Sequence, residues 1–73
     1  MVEIAVPVEI TASVWKIEVT IGSRVAAGDV LLILESMKME IPVEAPRDAT
    51  VRRILVAEGD QVEEGQGVVV LDA

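Results

Sequence analysis

The residue of this sequence best suited to chemistry is Lys38, in the segment ESMKMEIPV between the strand-like runs VLLILE and MEIPVEA. Met37 and Met39 flank it, so a lone cation stands between apolar side chains at a connection where they would be exposed. Tight connections between strands favour Asn-Gly, Asp-Gly or Gly pairs, because the preferred two-residue turns need positive φ. Met37 and Lys38 do not match that preference. Because local rules tend to fail at functional sites, we take this connection as the candidate site.

A lysine amine can attack an activated carboxyl group, but near neutral pH an exposed lysine is almost entirely protonated. Lys38 therefore cannot acylate itself at a useful rate. A partner enzyme must activate the carboxyl group, deprotonate the amine and hold the two in line. What the chain itself can contribute is position, because strands hold a side chain better than loops do. This chemistry indicates a substrate and carrier, not an enzyme.

Composition excludes several other classes of protein. The 73 residues suffice for one small domain, and they include no cysteine and no histidine. Disulfides, thiolate sites, the commonest metal ligand and the commonest general base are thus absent, and no metal site is expected. The longest aliphatic run, residues 30–34, is too short to span a membrane, and no signal peptide precedes the first strand-like segment. We expect a soluble, cytoplasmic protein.

The net charge of −7 argues against binding to nucleic acid, which needs clustered Lys and Arg. Trp15 is the only aromatic residue, so the sequence offers no platform for base stacking. The acidity favours solubility and a protein that is monomeric when alone. Alternatively, the negative charge steers the protein toward a basic face of a partner enzyme.

The chain contains an internal repeat. Residues 3–36 align without a gap with residues 40–73, at an offset of 37, and eleven of the 34 pairs are identical. Each copy is rich in Val and Ile with period two and carries the pattern G-x-x-V-x-x-G, which predicts short strands and turns with positive φ at the glycines. Neither copy can bury its apolar face alone. We therefore predict one all-β domain over residues 1–73, a β-sandwich or flattened barrel with approximate two-fold symmetry.

The repeat also gives Lys38 a special position. Its partner at the offset of 37 is Met1, so the seam between the two copies falls at Lys38. One end of the domain would carry a continuous hairpin with Lys38 at its tip. The equivalent connection is missing from the other copy, where Met1 and Ala73 would lie, near the opposite end of the barrel.

The two G-x-x-V-x-x-G segments, with ESMKMEIPV between them, resemble the biotinyl/lipoyl attachment domain over essentially the whole chain. The M-K-M tripeptide is similar to the biotin carriers of that family, whereas lipoyl carriers usually have Asp-Lys-Ala. The short length is most like the small stand-alone attachment proteins of bacteria. The resemblance implies a barrel-sandwich hybrid of two four-stranded antiparallel sheets. It also implies that a biotin protein ligase biotinylates Lys38, and that the arm carries carboxybiotin between the biotin carboxylase and carboxyltransferase components of a carboxylase.

Around Lys38, the residues Glu35, Met37, Met39 and Glu40 are candidates for recognition by a partner; core packing for the methionines and simple solvation for the glutamates are the alternatives. Trp15, whose repeat partner is Arg52, is expected at a half-buried rim, where it serves packing or, alternatively, belongs to a surface that contacts a partner. Two other functions remain open. One is a lipoyl carrier modified at the same lysine, and the other is an unmodified structural interaction module.

Overall fold

Short segments rich in Val and Ile form eight strands in residues 2–73, the part of the chain that the computed structural model describes. In chain order they are β1 Glu3–Pro7, β2 Ala12–Ile17, β3 Arg24–Val25, β4 Val30–Ser36, β5 Met39–Glu44, β6 Ala49–Ile54, β7 Gln61–Val62 and β8 Gly67–Asp72. Among these residues there is no helix long and apolar enough to cross a membrane. The predicted place of Met1 falls outside the described residues.

The strands form two four-stranded antiparallel sheets, in the orders β1-β8-β6-β3 and β5-β4-β2-β7. We call them the first and the second sheet. The offset of 37 converts each strand of the first sheet into the strand at the same place in the second. Each sheet takes two strands from each half of the repeat, so neither half forms a sheet of its own. The predicted all-β fold with pseudo-two-fold symmetry is confirmed.

The turns follow the same symmetry. Four glycines, two in each half, have the positive φ that the sequence predicts: Gly22 at 96°, Gly28 at 91°, Gly59 at 94° and Gly65 at 88°. Between the glycines of each pair, a two-residue strand, β3 or β7, carries a buried valine into the core. The amides of Gly28 and Gly65 donate to carbonyl oxygens of the opposite half, at 2.9 Å each. These hydrogen bonds join the two halves.

The core lies between the sheets and is entirely apolar among the described residues. Adjacent residues of a strand normally face opposite sides, yet Leu31 and Leu32 are both fully buried. The cause is a β-bulge between Val30 and Leu32 in the pairing of β4 with β5. Because both leucines are buried, β4 contributes more apolar area to the core than a regular strand would, which matters in a domain of only 73 residues. These contacts anchor the strand that leads to Lys38.

Candidate functional site

The β4–β5 hairpin carries Lys38 at its tip, as the sequence predicts. Ser36 is the register partner of Met39, which leaves Met37 and Lys38 as a two-residue turn. Met37 has φ of 52° and Lys38 has φ of 65°, and they are the only non-glycine residues with positive φ in the described part of the chain. Positive φ at both central residues is the requirement of a type I′ turn. The hairpin therefore has an ordinary turn geometry made from residues that do not favour it.

This choice of residues costs stability. A left-handed conformation costs a residue other than Gly, Asn or Asp about 1–2 kcal/mol, which is appreciable in a small domain. The surrounding strands must maintain the turn against that cost. Below the turn, Leu34 of β4 is buried and pairs with Ile41 of β5. Two positions farther from the turn, Leu32 pairs with Val43, and both are buried. The tip is thus fixed by strands that are anchored in the core.

Both methionines of the turn region are exposed. Met37 is 93% exposed and Met39 is 64% exposed, and Lys38 is exposed between them. Core packing, the alternative interpretation of the methionines, is therefore wrong. Within residues 2–73, no carboxylate forms a salt bridge with Lys38. The amine is accessible to a partner without breaking an ion pair.

Glu35 and Glu40 lie directly opposite each other on β4 and β5, one position below the Ser36–Met39 pair. Side chains alternate along a strand, and the neighbouring Leu34–Ile41 pair faces inward, so the two carboxylates share the outer face of the second sheet. Both are exposed, and neither is in a salt bridge with any residue in the range 2–73. The structure therefore brings together Glu35, Met37, Lys38, Met39 and Glu40 at one end of one hairpin.

The arrangement presents an exposed primary amine between two exposed methionines, with two exposed carboxylates beside them. The sequence contains no histidine or cysteine, and the described residues contain no cluster of acidic side chains able to hold a metal ion. An exposed primary amine on a rigid support suits covalent attachment of an acyl group by another protein.

Comparison with known proteins agrees with this class of site. The family model described as "Biotin-requiring enzyme" matches residues 2–71. The biotin/lipoyl attachment protein of Bacillus subtilis is 42% identical over 60 residues, which cover 82% of each chain. The biotinylated protein TB7.3 homolog of Mycobacterium leprae is 44% identical over 63 residues, covering 86% of this chain and 89% of that protein.

A solved structure matches the fold. The urea carboxylase of Kluyveromyces lactis superposes with a TM-score of 0.91 at 37% identity, over 97% of this chain, which corresponds to 6% of that enzyme. Two four-stranded sheets with an exposed lysine at a hairpin tip thus define an attachment domain of the carrier type. The chain belongs to the biotin/lipoyl attachment domain family.

Proposed function

We propose that this protein is a biotin carboxyl carrier whose Lys38 is biotinylated by a biotin protein ligase. The observation that carries the proposal is the position of Lys38, exposed at the tip of a two-residue turn on strands anchored in the core. Family membership supports an acyl acceptor, and the M-K-M sequence supports biotin as the acyl group.

In the proposed modification, the Lys38 amine attacks the carboxyl carbon of biotin, which the ligase has activated. A C–N bond forms, the activating group departs with its bonding electrons, and the amine gives up a proton to a base of the ligase. The chain supplies the nucleophile and its position, and the ligase supplies the activation and the base. The carrier is a substrate in this step.

The residues around Lys38 have distinct parts in the proposal. The exposed Met37 and Met39 offer apolar contacts to the ligase, and Glu35 and Glu40 offer carboxylates beside them. Once attached, biotin carries a carboxyl group between the active sites of biotin carboxylase and carboxyltransferase components. A flexible arm on a rigid hairpin makes both transfers intramolecular within the complex, which raises the effective concentration of the group.

Lipoate is the alternative acyl group, because the Bacillus subtilis relative is named for both attachments. Incubating the apo-protein separately with a biotin ligase and a lipoate ligase, followed by intact-mass measurement, distinguishes the two. We expect a mass increase of one biotinyl group with the first enzyme and no increase with the second. A lipoyl increase alone would favour the lipoyl carrier, and no increase with either would favour an unmodified interaction module.

A further inference from the structure

The two equivalent outer faces of the sheets differ in how their acidic residues are neutralised. On the first sheet, Glu3 lies opposite Asp72 in the pairing of β1 with β8. Arg52 of β6 bridges both, with Nε at 2.7 Å from Glu3 Oε2 and Nη1 at 3.2 Å from Asp72 Oδ2. Arg53 adds a contact of 3.2 Å to Glu3 Oε1. Two opposed carboxylates are thus matched by two guanidinium groups.

On the second sheet the same positions hold a different set. Glu40 and Glu35 are the counterparts of Glu3 and Asp72, and they are likewise directly opposed. Trp15, however, stands where Arg52 stands, and both residues lie in equivalent bulges, opposite β4 and β8 respectively. Lys16 takes the place of Arg53, but its Nζ lies 3.5 Å from Glu18.

The consequence is that Glu35 and Glu40 form an acidic pair without a salt bridge to any residue in the range 2–73. The position on β2 that corresponds to Arg52 holds Trp15 instead, which is 47% exposed. Like charges directly opposed across a pair of strands are destabilising. The first sheet shows which group completes this arrangement. It is the guanidinium of Arg52, which extends from β6 to Asp72 on the neighbouring strand β8 and to Glu3 on β1 beyond it. An arginine guanidinium also stacks flat on an aromatic face and binds carboxylates in a bidentate manner. A lysine ammonium can contact an aromatic face but has no planar fork for bidentate binding.

We propose that Trp15, Glu35 and Glu40 form a receptor for one arginine side chain of the ligase. The inference rests on the proposed function, and it adds Trp15, which the sequence pattern around Lys38 does not include, to the recognition surface. The ligase is the partner because Glu35 and Glu40 lie three and two residues from Lys38. The ligase must place its active site at the unmodified Lys38 amine and therefore has to cover this surface. The carboxylase components act on the far end of the biotinylated side chain, so they can work at a greater distance from the hairpin.

The substitution Trp15→Arg tests the receptor by supplying internally the residue that the first sheet has. We expect its guanidinium to bind Glu35 and Glu40, so that the melting temperature does not fall. The KM of the ligase for the carrier should rise about tenfold, the size of effect typical of an interface hot spot, with kcat little changed.

Ile21→Arg is the matched control for charge. Ile21 is 68% exposed and lies beyond Ile17, at the end of β2 away from the hairpin, so the variant gains the same charge elsewhere. Its KM should stay within about twofold of the parent. An equal rise in KM for Trp15→Arg and Ile21→Arg, or no rise for Trp15→Arg, would overturn the proposal.

A second variant guards against a folding defect in Trp15→Arg. The double change Glu35→Gln with Glu40→Gln removes the carboxylates and should raise KM by a similar factor, and an unchanged KM would overturn the receptor. Long incubation with excess ligase separates this inference from the proposed function. If the parent protein reaches full biotinylation while these variants show unchanged KM, the receptor alone is wrong; if the parent is never modified, the proposed function is wrong and the receptor with it.

Discussion

Val2 and Ala73 exchange two backbone hydrogen bonds, with N–O distances of 2.8 and 2.9 Å. At the repeat offset of 37 they are the counterparts of Met39 and Ser36, the pair that closes the Lys38 turn. Val2 and Ala73 therefore lie where the second half of the repeat would otherwise carry its own hairpin. Within residues 2–73 the fold has one such hairpin tip, and the backbone positions related to it by the two-fold symmetry are those of Val2 and Ala73.

This relationship predicts that the termini tolerate additions and that the tip does not. Fusing a bulky domain after Ala73 should leave the rate of ligase modification within about twofold. Inserting two glycines between Lys38 and Met39 should slow it about a hundredfold, because the turn would no longer fix the amine and placement errors near 1 Å cost roughly that much. Adding two glycines after Ala73 is the control. An unchanged rate of ligase modification after the internal insertion would contradict this account of the hairpin.

The turn itself predicts a conflict between stability and recognition. Met37→Asn replaces a residue with φ of 52° by one that tolerates the left-handed region. We expect a gain of about 1 kcal/mol in the free energy of unfolding, or about 4–8 °C in melting temperature. Ligase modification should become slower, because an exposed apolar contact is lost. Met39→Asn, in a strand position without positive φ, should slow modification without raising the melting temperature; a destabilised Met37→Asn would refute the strain argument.

Modification should also change the charge of the protein. The apo-protein has a formal net charge of −7, and amide formation at Lys38 removes one positive charge to give −8. Ion exchange near neutral pH should elute the modified form later from an anion exchanger. The Lys38→Arg variant treated with ligase is the control and should show no second peak. Identical elution at full modification, verified by mass, would contradict a charged amine in the apo-protein.

Much of the fold follows from the sequence because the two copies of the repeat align without a gap. Eleven identities at one offset, with glycines and buried valines at matching places, define the turns and the two-fold relationship. The order of strands does not follow from this pattern. Each sheet draws on both halves, and this depends on which apolar faces meet when the halves close together, which no local signal specifies.

The site was predictable in part for a similar reason. Lys38 stands out through its seam position and its broken turn rule, and the structure bears out the turn. The difference between Trp15 and Arg52 is visible in the alignment, but its meaning depends on the strand order β1-β8-β6, which lets the Arg52 side chain extend past β8 to Glu3 of β1. The contacts that this strand order permits neutralise Glu3 and Asp72, whereas Glu35 and Glu40 form no salt bridge within residues 2–73.

The most direct test of the central claim uses the only two lysines of the chain, Lys16 and Lys38. Three proteins would be incubated to completion with excess biotin ligase, biotin and ATP: the parent, Lys38→Arg and Lys16→Arg. The intact mass of each would then be measured by mass spectrometry. We predict a gain of one biotinyl group for the parent and for Lys16→Arg, and none for Lys38→Arg, which keeps the positive charge but lacks the nucleophilic amine. A gain that survives in Lys38→Arg and disappears in Lys16→Arg would contradict the account.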